Sequence, residues 1–220
     1  MSETRRYQPL LLTIYQQYLK DNDPVDFVRA VSKRYTQGTL ERLVLDPDCG
    51  TRRAAVLALG FVGDYRVNHT VGQAMQDEDH TVRVLAEKAC RAVWHRAGDQ
   101  VQRRELADAV RLNAIKQYEA AIKKASAVLD RAPGFAEAWY QRGSAWFQLK
   151  DRRRAIQDWH QALELNPYHF VAAIAMGDAY LQLGNPASAL DAFRRALRLN
   201  PDLTRVRSQI AKLKDEIEEE

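Results

Sequence analysis

The chain has 220 residues, of which 46% are hydrophobic and 28% charged, and its formal net charge is +4. That apolar share builds a packed core rather than a disordered tail, while ten glycines and seven prolines give too few tight turns for a many-stranded sandwich or barrel. Two cysteines, Cys49 and Cys90, cannot make a disulfide framework and fit a reducing, cytoplasmic setting.

The first predicted element is a helix around Leu10-Leu11-Leu12-Thr13-Ile14-Tyr15. Arg5 and Arg6 before it imitate the start of a signal peptide, but the apolar stretch is short and no small-residue cleavage site precedes Lys20 and Asp21. A membrane-spanning helix needs about 20 apolar residues, so no membrane segment is expected. The helix is expected to pack Leu11, Ile14, Tyr15, Tyr18 and Leu19 onto its neighbour, and residues Asp23–Leu45 to form a less regular helix pair.

A period then appears. A shift of 31 residues pairs Asp46 with Asp77, Asp48 with Asp79, Arg52 with Arg83, Ala55 with Ala86, Ala58 with Ala89 and Val62 with Val93. The phrase Asp46-Pro47-Asp48, Thr51-Arg52-Arg53-Ala54-Ala55, Leu59-Gly60-x-Val62-Gly63-Asp64 resembles a short bacterial HEAT-like repeat. Asp48 and Arg52 stand four apart near a helix start, as do Asp79 and Arg83, so each pair is expected to meet on one helix face. The resemblance also implies an Asp–Arg ladder between adjacent units. Cys90-Arg91 replaces the closing Leu-Gly in the second copy, which marks it as a junction.

The second half carries a longer period. Sliding residues 136–169 by 34 onto 170–203 gives eleven identities, where unrelated segments would share about two. Trp139, Gly143 and Trp146 share one face of a first helix, with glycine where a neighbouring helix must approach closely. Asp151 offers the N-cap of a second helix carrying Ala155, Trp159, Ala162 and Leu163 on one stripe. In the next copy Gly184 closes the first helix, Asn185 caps the second and Pro186 takes its first position. Trp139-x2-Arg142-Gly143-x2-Trp146, Ala155-x3-Trp159, Pro167, then Met176-Gly177-x2-Tyr180, Ala189-x3-Phe193, Pro201, resembles the tetratricopeptide repeat. A degenerate copy lies in phase at 102–135, with Glu105, Asp108 and Ala109 where Trp, Leu and Gly are usual. From Thr204, the spacing of Ile210, Leu213 and Ile217 predicts a capping helix.

These patterns predict an all-α fold, a right-handed superhelical α-solenoid of stacked antiparallel helix pairs. HEAT-like repeats and N-terminal helices would occupy residues 1–100, and a tetratricopeptide array residues 101–220. The resemblance implies a concave groove lined by first helices. Its lining would be Arg103, Val110 and Asn113 in the degenerate copy, then Tyr140, Gln141, Ser144, Phe147 and Gln148, then Ile174, Ala175, Asp178, Leu181 and Gln182. That strip of aromatic and aliphatic anchors edged by amides suits an extended segment or helix of a protein partner. Chaperone-binding tetratricopeptide domains grip a terminal carboxylate with lysine and asparagine; Tyr140, Ser144 and Ala175 stand in those places, so a co-chaperone of that type is not expected.

The runner-up is nucleic-acid binding. Residues 101–214 carry 19 basic and 11 acidic side chains. Lys150, Arg152, Arg153 and Arg154 cluster at a helix start, and Arg194, Arg195 and Arg198 recur on the equivalent helix, a surface the resemblance makes convex. No metal or cofactor is expected. His69, His80, His95, His160 and His169 lack ligand spacing and read as surface residues, Cys90 as a buried small one, and no phosphate loop or nucleophile motif occurs. An enzyme is the weakest class.

Overall fold

The computed structural model describes residues 9–218, which contain thirteen α-helices, two short 3-10 turns and no strand. The chain forms two compact units, Met1–Val93 and Trp94–Glu220. Among the described residues no helix is long and apolar enough to cross a membrane.

The first unit contains α1 (Leu10–Asp21), α2 (Pro24–Ser32), α3 (Gln37–Leu43), α4 (Cys49–Val62), α5 (Asn68–Gln73) and α6 (His80–Trp94), of which α6 reaches the unit's end at Val93. Side chains open these helices. Asp23 accepts the N–H groups of Val25 and Asp26 ahead of α2, with Pro24 at its first position, Thr36 accepts that of Thr39, and Asp48 that of Thr51 at 2.7 Å. Leu11, Phe27, Val31, Leu40, Val56 and Leu59 are buried, each stabilising the unit by about 1.5–3 kcal/mol. Leu19 departs from expectation at 61% exposed, because it lies at the edge of the stripe that α1 buries. Arg5 and Arg6 lie outside the described residues.

The expected pair Asp48–Arg52 does not form. Asp48 turns back onto Thr51 as a cap, which frees Arg52 to reach the next copy. Its guanidinium donates to both Asp77 carboxylate oxygens at 2.8 and 2.9 Å, and to the carbonyls of Asp46 and Pro47 at 3.0 and 3.2 Å. Arg83 repeats the carbonyl contacts one period on, with Asp77 and Glu78 at 2.9 and 3.1 Å. Arg53 grips Asp79 at 2.5 and 2.9 Å, and that hydrogen bond holds the Asp79 carboxyl well below its ordinary value.

The second unit contains α7 (Gln100–Ala114), α8 (Tyr118–Arg131), α9 (Ala136–Gln148), α10 (Arg152–Leu165), α11 (Phe170–Gln182), α12 (Pro186–Leu199) and α13 (Thr204–Glu218). Helices α7 and α8, α9 and α10, and α11 and α12 pack as pairs; α8 meets α9, α10 meets α11, and α13 closes on α12. The turns inside the pairs repeat every 34 residues. Lys116, Lys150 and Gly184 take φ of 63°, 67° and 68°, and the next N–H donates back to Leu112, Trp146 and Tyr180 respectively. The degenerate copy thus keeps the backbone signature of the other two.

Packing follows the large-small pattern. The Trp159 ring fills the space that a Cβ on Gly143 would enter at 2.8 Å, and Phe193 overlies Gly177 more tightly still. Ala155, Trp159, Ala162, Ala189, Phe193, Ala196, Val206 and Leu213 join one buried cluster, and Ile210 packs on it. The Ile217 side chain lies outside the described residues. Arg142 ties three helices together, donating to both Asp158 oxygens at 2.8 Å and to Ser126 Oγ at 3.1 Å while lying 4.7 Å from the Trp139 ring centre.

Candidate functional site

The first helices of the pairs lie side by side, α7 against α9 and α9 against α11. Their shared face carries the residues expected to bind a partner. On α7, Arg103 is exposed and donates to the carbonyls of Arg96 and Gly98, while Val110 and Asn113 are half-buried. Asn113 Nδ2 donates to the Gln141 carbonyl at 2.9 Å and to its Oε1 at 3.1 Å, and Gln141 Nε2 donates to Glu137 at 2.8 Å. These amides fasten α7 to α9, the use that helix packing makes of them.

On α9, Ser144 Oγ donates to the Tyr140 carbonyl at 2.9 Å, and the Tyr140 ring tilts against His169 with centroids 4.8 Å apart. Phe147 is half-buried against Trp159 at 5.5 Å, and Gln148 is exposed. On α11, Ile174, Ala175 and Leu181 are half-buried against the core cluster, while Gln182 is exposed and accepts from Arg152 Nε at 2.8 Å. Asp178 is half-buried, and burial pushes its carboxyl above the ordinary value despite Arg205 at 3.5 Å. The face therefore offers a half-buried apolar strip with exposed amides, and Arg205 at its α13 end.

Arg205 and Gln209 escaped sequence reasoning. One further 34-residue step would have found them, since it carries Gln141 onto Ala175 and then Gln209, making α13 a first-type helix. Glu137 and His169 escaped too. His169, expected at the surface, is 1% exposed, stacked on Trp94 with centroids 4.3 Å apart and hydrogen-bonding distance from Glu137. The aromatic rings around it replace water, so a histidine can be buried there provided its polar atoms are satisfied.

The basic side chains divide between two places. Arg152, Arg153 and Arg154 occupy the first turn of α10, whereas Arg194, Arg195 and Arg198 lie in the last two turns of α12, the opposite end of the equivalent helix. Several have internal partners: Arg152 donates to the Lys150 carbonyl, Arg154 meets Asp151 at 3.4 Å and lies over Trp146, Arg194 meets Asp191 at 3.6 Å, and Arg195 reaches the Leu163 carbonyl. Lys150, Arg152 and Arg153 line a shallow depression with Leu149, Asp151 and Leu183. Among the described residues no three His, Cys, Asp or Glu side chains converge to hold a metal ion. Burial pushes the Cys90 thiol up, which keeps it protonated.

Residues 136–169 and 171–203 each match the tetratricopeptide repeat family, so this stretch of the chain consists of tetratricopeptide repeats. No curated protein matches the chain in sequence. Several solved structures resemble it. The first tetratricopeptide domain of Spaghetti (RPAP3), bound to the HSP90 peptide SRMEEVD, is 22% identical with a TM-score of 0.52, and the match covers 55% of this chain and 95% of that one. The MamA protein is 20% identical with a TM-score of 0.50, covering 69% of this chain and 81% of that one. At such identities the likeness establishes the helix-pair fold.

Proposed function

We propose that the chain is a non-catalytic interaction scaffold that binds a peptide segment or helix of a partner protein along the first-helix face of its second unit. The observation that carries this reading is the strip of Phe147, Ile174 and Leu181, half-buried beside the exposed amides of Gln148 and Gln182. Apolar side chains held in place by the core beneath them lose little conformational entropy when a partner covers them. Asn113, Gln141 and Arg142 lock neighbouring helices, so the face is set before binding. That the first domain of Spaghetti carries a bound peptide on the same fold supports the reading. The first unit we infer to be HEAT-like: Arg52 and Arg83 make the same two carbonyl contacts one period apart, and Arg52 and Arg53 link the copies through Asp77 and Asp79.

A random peptide display library tests the function. Sequences enriched on the wild type are expected to bind Ser144→Arg/Gln148→Arg at least about tenfold more weakly, because bulk and charge then fill the strip without touching the core. Enriched peptides that ignore this variant but lose binding to Arg152→Glu/Arg153→Glu would move the site to the basic depression, and with it the proposal would fall.

A further inference from the structure

Three helices of the first unit turn apolar faces toward one opening. Tyr15, Tyr18 and Leu19 of α1, Leu57 and Phe61 of α4, and Leu85 and Ala92 of α6 line a cleft of about 320 Å³. Each helix contributes residues three, four or seven apart, the spacing of a face made to be covered. Gly60 lets α4 approach α6 closely, since a Cβ there would stand 3.1 Å from that of Ala89, and this close approach shapes part of the cleft wall. Leu19, at 61% exposed, stands at the rim. Among the described residues, Lys88 is the only charged group lining the cleft. Its neighbours Glu87 and Arg91 pair with each other, whereas Lys88 has no carboxylate partner among the described residues.

We propose that this cleft docks an amphipathic helix of a partner protein that carries acidic residues beside its apolar stripe. The lining decides for a helix over an extended segment. Its walls are helices, whose backbone groups pair within each helix and leave no row of free groups for an extended chain. A strand laid there would bury its own N–H and C=O groups without partners, while a helix satisfies them internally. The occupant's side chains would meet the three stripes as one more helix does in a bundle. Lys88 sets the sign of the flanking charge, because an acidic side chain beside it replaces lost hydration with an ion pair.

The probe is a fluorescein-labelled synthetic helix of about 18 residues, with leucines at i, i+3, i+4 and i+7 and glutamates on the flanks. A lysine-flanked twin and a proline-interrupted version serve as controls, and binding to the full chain is read by anisotropy. The glutamate-flanked helix is expected to bind best, by about three- to tenfold over the lysine twin. Leu19→Asp weakens it by about tenfold or more, and Lys88→Glu reverses the preference between the twins. Both sites are exposed, so the melting temperature stays put. Equal binding of the twins, binding that survives Leu19→Asp, or equal binding of the proline-interrupted version would overturn the proposal. So would self-association of the free chain that Leu19→Asp abolishes, since a second copy would then occupy the cleft.

Discussion

Glu137 and His169 meet at 3.2 Å inside the second unit, both at most 3% exposed and 32 residues apart in sequence. His169 caps α11 by accepting the Ala172 N–H on Nδ1, which leaves Nε2 to donate to the carboxylate. Burial alone would push the Glu137 carboxyl up. The hydrogen bond from His169, the electrostatic attraction of the His169 and His95 rings and the Gln141 amide outweigh burial and hold it below its ordinary value.

That depression makes stability pH-dependent. A carboxyl with a lowered folded-state pKa contributes stability that is full above its unfolded value of about 4.3 and is lost as pH falls through the folded one. Urea unfolding followed by tryptophan fluorescence is expected to show the second unit weakening as pH drops below about 4. Glu137→Gln keeps the acceptor and flattens this dependence. Glu137→Ala strands the buried His169 donor and the half-buried Gln141 amide and costs about 2–4 kcal/mol at pH 7.

Arg142 is the next point of leverage. The Asp158 side chain is 7% exposed and both its oxygens are held by that one guanidinium. Arg142→Ala is expected to cost about 3 kcal/mol by leaving a buried carboxylate unpaired, and adding Asp158→Ala should restore part of the loss. Equal destabilisation of the single and double variants in urea would mean that packing over Trp139, rather than charge, is what Arg142 supplies.

The two glycines of the repeats rank differently. A Cβ on Gly177 overlaps the ring of fully buried Phe193, whereas one on Gly143 meets the edge of Trp159 at 2.8 Å. Gly177→Ala should cost about 2–3 kcal/mol and Gly143→Ala about 1–2 kcal/mol, with Phe193→Leu rescuing the first in part. Thermal melts of the three variants check the order.

Lys150 occupies the left-handed turn that Gly184 fills in the next repeat. Its backbone conformation costs an L side chain about 1 kcal/mol, and glycine in the unfolded chain returns some of that advantage. Lys150→Gly is expected to stabilise by about 0.5 kcal/mol, read as a shift of the urea midpoint; a destabilised variant would show that the lysine side chain makes contacts worth more than the strain.

Much of this architecture was legible beforehand. Asp151 and Asn185 cap the helices they were expected to cap, and Trp159 and Phe193 fill the space over Gly143 and Gly177. The tetratricopeptide match covers the two copies found by the 34-residue shift. Less legible were the partners of charged side chains. Asp48 and Arg52, four apart on one helix, read as a pair, yet Asp48 caps α4 and Arg52 crosses to Asp77. A backbone N–H at a helix start competes for a short carboxylate more effectively than an arginine one turn on does, and the longer arginine reaches wherever a second carboxylate is held.

By itself the sequence determined the helices, their pairing and the periods at which they recur, because an apolar stripe reports which side of a helix is covered whatever covers it. Only the tertiary structure decided that His169 lies against Glu137, that Asn113 fastens Gln141, and that Tyr15, Phe61 and Leu85 open onto one cleft. Those meetings depend on the register of stacked helices and on the rotamers of side chains distant in sequence, and hydropathy along a single chain carries no record of either.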